Sequence, residues 1–514
     1  MRVFLFGVDG LTFRVLHPMM ERGLLPNFQR LRDEGVEAIL KSTTPPVTPP
    51  AWTSIATGLA PAKHGVYDFW DYEQTPDGPK AHVLTHRKGG KAIWNILSDW
   101  GKRVVVANIP LTYPPEPVNG IMLSGLMAPD MKASVTYPVS FKEELLEAVP
   151  DYRIDLNAAV SNGLLGEVLT DTLEMTRERN RMLGLLLKKP WDFFFIVYTG
   201  ADRIQHMRWD EIMAFHPSAV EYYQMVDEGL GMALAELGPE DVLMLVSDHG
   251  FQGVSRKFYM QEYLYRQGWL RMKGDERRNA KLFGIVRSLV RMLGVQRIAL
   301  PLYRRLRHKQ IKNMAVQDHV AILPNLDWSA SRAWLQSTSG ELAGYADIYF
   351  DDAVTDAQID KFVAALREVR DPENGQPLAV EIHREDAFGT GPFASGRRHV
   401  IVLSGENTSM YTQLGRTSLW ETRGVGKSVS TGIHHPDGVL YVYGAGVKKG
   451  ATVAPTHVYD VVPTILSLMG VPLPDELDGK AMTAPFEQAG VEENDDEGGN
   501  KVLRKLKGLV GKTG

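Results

Sequence analysis

Five short, largely apolar runs constrain this chain more than any other feature: residues 3–8, 103–108, 191–198, 242–246 and 439–443. Runs of that length without polar alternation suit strands buried on both faces, which occur in parallel sheets covered by helices. Between them lie segments with apolar residues at spacings of three and four: 27–34, 93–100, 141–149, 164–187 and 217–237. The alternation predicts an α/β fold, a doubly wound, mostly parallel sheet with helices on both faces. In such sheets ligands collect at the carboxyl ends of the strands. That is where this chain keeps its acids and histidines.

The first run ends in Asp9-Gly10, the third leads into Asp202 and His206, and the fourth ends in Ser247-Asp248-His249-Gly250. Asp-Gly also serves as a plain turn, and Asp202 or Asp248 as a cap. The spacing of four puts Asp202 and His206 on one face if the stretch is helical. The histidines at 434 and 435 precede the last apolar run, and His434 is taken as the ligand candidate over His435.

A second kind of signal lies at Thr44-Pro-Pro-Val-Thr48-Pro-Pro-Ala-Trp-Thr-Ser. Pro49 and Pro50 fix φ and lack N–H donors, so they suit the first turn of a helix. Thr48 then stands at the positive end of that helix, either as an N-cap or as a reacting hydroxyl. His64, a little further on, is expected to hydrogen-bond backbone and support this helix.

Composition removes several alternatives. No cysteine is present, which excludes disulfides, Cys-ligated zinc, iron–sulfur clusters and thiol nucleophiles. A net charge of −5 over 514 residues argues against a nucleic acid polymer as partner. The apolar opening run is cut short by Asp9, unlike a signal peptide, and no window of roughly 18 apolar residues offers a membrane span. The expected location is cytoplasmic.

The candidate ligands fall into two sets: Asp9, Thr48, Asp248 and His249 for one divalent ion, and Asp202, His206 and His434 for the other. Two such ions clamp an in-line displacement at phosphorus. A threonine hydroxyl has a very high pKa and no base beside it in sequence, so metal coordination is the available means of activation.

The motifs Asp9-Gly, Thr48-Pro-Pro-Ala-Trp-Thr-Ser, Thr57-Gly58, His64-Gly65, Asp202 with His206, Ser247-Asp248-His249-Gly250 and Gly432-Ile-His434 together resemble the alkaline phosphatase superfamily. Within it they are similar to the type I phosphodiesterase / nucleotide pyrophosphatase branch, over residues 1–254 and roughly 425–482. The resemblance implies an alkaline phosphatase-like core, Thr48 as nucleophile, and two zinc-like ions on the two sets, with manganese as the alternative metal. It implies a hydrolase of phosphoric esters working through a phosphothreonyl intermediate on a small-molecule or lipid-linked phosphate ester. The rival readings are a phosphomonoesterase or phosphotransferase on the same site, and a non-catalytic membrane-surface protein that kept the core. The chain departs from the branch at Ala51, where members active on nucleotides carry an Asn that contacts the phosphoryl oxygens. The neutral residues around Thr48 favour diesters over monoesters.

The expected division is a core of residues 1–254 and 430–482, an inserted α+β cap of 255–429, and a tail of 483–514 with an acidic, disordered start and a basic amphipathic end. Residues 280–312 are basic and amphipathic, which suits either a solvated cap helix or peripheral contact with an anionic membrane.

Overall fold

The computed structural model describes residues 1–75, 78–156, 168–273, 326–335, 340–394, 399–424 and 430–487. The basic stretch 280–312 and tail residues 488–514 lie outside the described residues.

A ten-stranded sheet forms the centre. From one edge its order is Ala451–Thr452, Val36–Lys41, Asp437–Gly444, Val242–Val246, Val3–Val8, Phe193–Tyr198, Val104–Ile109, Gly120–Ser124 and Thr136–Tyr137, with Thr456–His457 also pairing to Val36–Lys41. Asp437–Gly444 and Thr136–Tyr137 run against their neighbours, and the other strands share one direction. The sheet is therefore α/β and mostly parallel, as the apolar runs require.

Side chains of Val3–Val8 alternate between two cores, the period of two expected of a strand. Phe4, Phe6 and Val8 enter one core with Phe28, Leu183, Tyr222 and Leu230. Val3 and Leu5 enter the other with Trp52, Trp94, Val462 and Ile465. Helices thus cover both faces. Helices Pro26–Glu34, Val168–Leu186 and Pro217–Ala235 lie on the first, and Thr48–Thr57, Ile93–Asp99 and Val461–Leu468 on the second.

The chain leaves this core along Gly250–Gly253 and returns along Gly432–His435, and these two strands pair antiparallel. Between them, among the described residues, lies a second body. It holds an antiparallel sheet of Ala333–Leu335, Tyr345–Phe350, His399–Ser404 and Ala379–Arg384, the helix Asp356–Arg367, and a small sheet around Arg256–Tyr259. Phe258, Ile348, Phe362 and Val402 share its apolar core. Tyr345, Phe388, Ile401 and Leu403 also pack on Val47, so the inserted sheet sits directly against the segment leading to Thr48. No helix of the described residues is long and apolar enough to cross a membrane.

Candidate active site

Thr48 is the first residue of a wholly buried helix, Thr48–Thr57, which Gly58 closes at φ +69°. The cap is Val47, in extended backbone, so the N-cap reading of Thr48 is corrected by one position. The displacement matters for anion binding. An ordinary helix offers four unpaired N–H groups at this end. Here Pro49 and Pro50 have none and the Val47 amide is used by Pro45 O at 3.0 Å, which leaves the Thr48 amide. The helix terminus is a poor anion nest, and charge at the site must be met by other groups.

Asp9 follows the central strand directly. Its amide donates to Tyr198 O at 2.9 Å, and its carbonyl accepts from the Asp202 amide at 3.1 Å. Gly10 N–H donates to Asp248 Oδ1 at 3.0 Å, and Gln205 Nε2 donates to Gly10 O at 2.7 Å. Three strand ends are thereby stitched into one floor, and the Asp9-Gly10 turn is part of it. Asp202 and His206 lie one turn apart on the helix Gly200–Met213, as their spacing requires.

All seven residues proposed from the sequence converge, and all are buried. Thr48 Oγ1 lies 3.5 Å from Asp9 Oδ1 and 3.4 Å from His249 Nε2. His249 Nε2 is 3.6 Å from Asp9 Oδ1 and 3.2 Å from Asp248 Oδ2. Asp202 Oδ1 lies 3.2 Å from His206 Nε2 and 3.0 Å from His434 Nε2. The two sets are contiguous, because the His249 and His434 rings stack at 3.6 Å and Asp202, His249 and His434 also cluster as a possible ligand trio. His435, by contrast, faces Glu406 at 3.8 Å.

The hydrogen bonds fix the histidine tautomers. His434 Nδ1 meets Pro46 O at 2.8 Å, His206 Nδ1 meets Gly432 O at 3.1 Å, and His249 Nδ1 meets Gly250 O at 3.1 Å. A carbonyl only accepts, so each Nδ1 carries a proton and each ring turns its Nε2 inward. His206 Nε2 and His434 Nε2 are 3.0 Å apart, and both face Asp202 Oδ1. The bracing of Nδ1 by a carbonyl is the arrangement that orients metal-binding imidazoles.

The carboxylates carry the same message. Asp248 Oδ2 is fully buried with no hydrogen-bond partner among the described residues. Burial and then the Asp202 charge push Asp9 well above the usual carboxylate range, and burial and then Asp9 do the same to Asp248. Burial works against ionising Asp202 too, but His206 and His434 hold it well below that range. Burial and then His434 hold His249 well below the ordinary imidazole range, and burial lowers His434 despite Asp202. Inward imidazole nitrogens beside crowded, buried carboxylates make a donor set for divalent cations, which offset the cost of burying those charges. The donor set therefore fits metal.

Other residues complete the site. Trp52 Nε1 donates to Asp9 Oδ2 at 3.1 Å. Its position four residues after Thr48 places it on the same helical face, a signal available in the spacing. Gly432 lets its strand approach: a Cβ there would lie 2.4 Å from Gln205 O. His64, the last residue of the short helix Pro61–His64, bonds Ser54 Oγ through Nε2 at 3.0 Å and accepts from Val66 N–H, so it does brace the Thr48 helix. Arg203 reaches Asp155 Oδ2 at 2.9 Å and lies 4.0 Å from Asp202 Oδ2. Val47, Pro49, Pro50, Ala51 and Trp52, the neutral neighbours of Thr48, are buried as the seven are.

A family model described as type I phosphodiesterase / nucleotide pyrophosphatase matches residues 3–330. No curated protein matches the sequence. Among solved structures, phosphonoacetate hydrolase from Sinorhizobium meliloti 1021 aligns with TM-score 0.54 and 15% identity over 89% of this chain and 93% of its own, in complexes with phosphonoformate and with phosphonoacetate. Murine ectonucleotide pyrophosphatase / phosphodiesterase 5, as an inactive variant with AMP, aligns with TM-score 0.49 and 14% identity over 94% of this chain and 98% of its own. At 15% identity the first likeness shows the fold.

Proposed function

The chain belongs to the type I phosphodiesterase / nucleotide pyrophosphatase family of the alkaline phosphatase superfamily, a family of phosphoester hydrolases, and on that premise we propose that it is a metal-dependent phosphodiesterase whose nucleophile is Thr48. Asp9, Thr48, Asp248 and His249 would hold one divalent ion and Asp202, His206 and His434 the other, with zinc favoured by the mixed oxygen and imidazole donors. Such ions, when bound, lower the pKa of a hydroxyl and neutralise charge on the phosphoryl group.

The observation that carries this reading is the inward set of three Nε2 atoms beside the unpartnered Asp248 Oδ2, with the Thr48 hydroxyl at its edge. Thr48 Oγ1 attacks phosphorus and loses its proton as the bond to the leaving alcohol breaks. That alcohol departs with a proton. Water then attacks the phosphothreonyl ester, releases the monoester product and restores the hydroxyl. Asp9 is held for this task by the Trp52 indole, and Asp248 by the Gly10 amide. Acid quench of a turning-over sample followed by peptide mass spectrometry tests the proposal. Phosphate on Thr48 supports it, while undiminished turnover by Thr48→Ala rejects it.

Arg203 supports the second reading, a phosphomonoesterase. A monoester carries about one more negative charge than a diester at neutral pH, and Arg203 is a cation beside Asp202 that could meet it. Comparing kcat/KM for bis-p-nitrophenyl phosphate and p-nitrophenyl phosphate separates the two. A monoester rate above the diester rate decides for the second.

A further inference from the structure

Between the segment that follows the Thr48 helix and the inserted sheet lies a cavity of about 190 Å³. At roughly 30 Å³ per water it has room for about six waters, or for one small alkylammonium or guanidinium group. Tyr67, Trp70, Tyr349 and Phe388 are among its walls, and its charged lining is Asp68, Asp71 and Asp347 against Lys88. It shares no lining residue with the seven at the candidate metal centre.

Lys88 Nζ lies 2.7 Å from Asp71 Oδ2, so that pair is neutral as a unit. Asp347 Oδ1 meets His399 Nδ1 at 3.0 Å. The His399 ring is fully buried, stacks on Phe388 at 4.7 Å, and has no partner for Nε2 among the described residues. Asp347 thus brings a carboxylate to the cavity that is paired with no lysine or arginine among the described residues. A carboxylate beside several aromatic faces is the combination that attracts a weakly hydrated organic cation through the ring quadrupoles. An anion would meet repulsion, and a neutral apolar ligand would leave the carboxylate unmatched.

We propose that this cavity binds a small organic cation, a quaternary ammonium or guanidinium group, with Asp347 as its counter-charge and the aromatic walls as its cage. The site is built from both bodies of the chain. Tyr67 comes from the catalytic core and Tyr345, Tyr349 and Phe388 from the inserted region, and Tyr67, Tyr345 and Phe388 also pack with Val47, the residue before Thr48. Occupancy ties the inserted sheet to that segment and raises thermal stability. Nothing in this depends on turnover.

The test uses the full chain, with tetramethylammonium chloride as probe, sodium chloride at equal ionic strength as baseline, and neopentyl alcohol as the neutral counterpart of similar shape. Saturable binding by calorimetry and a raised Tm are expected for tetramethylammonium alone. Asp347→Asn should weaken it about tenfold. Equal binding of neopentyl alcohol, or unchanged binding by Asp347→Asn, overturns the proposal. Displacement of the probe by inorganic phosphate overturns it too, because the cation would then sit at the metal centre. Should Asp347→Asn fail to fold, Tyr349→Leu keeps the charge and removes one aromatic face. Several-fold weaker binding then supports the proposal, and undiminished binding overturns it.

Discussion

Trp52 lays its indole against Gly7 and donates its N–H to Asp9 Oδ2, so one side chain ties the Thr48 helix to the strand that delivers the carboxylate. A Cβ at Gly7 would come within 2.6 Å of Trp52 Cη2 and 2.8 Å of Val197 Cγ2. Gly7→Ala is expected to destabilise the fold by about 1–3 kcal/mol through overpacking. Trp52→Phe fills the core but leaves Asp9 Oδ2 without its donor, at a cost of about 1–3 kcal/mol. Urea unfolding of the apo protein reads both. A Trp52→Phe protein as stable as wild type would show that the indole N–H does not matter.

The metal proposal predicts about two divalent ions per chain by elemental analysis after reconstitution. Asp248→Ala and His206→Ala come from different sets, and each should lower the stoichiometry and abolish turnover. Because His249 touches both sets, His249→Ala should reduce total occupancy more than His206→Ala does. Protein that takes up no zinc or manganese under any loading condition rules the proposal out.

Thr48→Ala should lower kcat on its best ester by at least about 10³-fold, the scale of losing a nucleophile. Arg203→Met should lower kcat/KM for monoesters more than for diesters, since the lost charge matters to the more anionic substrate. Equal losses on both classes mean that Arg203 only positions Asp155 and the adjoining loop.

Buried His64 and half-buried Glu116 both make stability depend on acid away from the metal centre. Burial, with Arg87 nearby, holds His64 down to about 3, well below an ordinary imidazole. The unfolded chain therefore takes up that proton first, and stability falls as pH drops from about 6.5 toward 3. Glu116 resists burial through His86, Arg87 and Trp94, which bring it down to about 2. Its contribution is complete above about 4.5 and is lost as pH falls through 2. His64→Gln should flatten the upper part of the acid-unfolding profile, and Glu116→Gln the lower part. Denaturant midpoints measured across pH 2–8 check both, and an unaltered profile for either variant would contradict its assignment.

The sequence made the site legible because its ligands cluster at the ends of apolar strands, and strand ends meet when the strands pair. Asp9, Asp202 and Asp248 could be placed that way without knowing the strand order. The partners that fix the geometry were not legible, since Pro46 O, Gly250 O and Gly432 O are backbone atoms that every residue has. The strand Val36–Lys41 was not read from the sequence because Glu37 and Lys41, on the face opposite Val36, Ala38 and Leu40, break up its apolar run. Glu37 is matched by His17 at 3.0 Å and Tyr441 at 2.7 Å, neither of them near it in the chain.

The strand Asp437–Gly444 lies inside the sheet, between Val36–Lys41 and Val242–Val246, yet it is among the last core segments to be synthesised. While a ribosome makes the 190 residues between them, at about 5–20 residues per second, the sheet stays split for on the order of 10–40 s. During that interval the wholly apolar edge of Val242–Val246 is open to any passing strand. The nascent chain therefore needs shielding at that edge, and His434 reaches the site only when the gap closes.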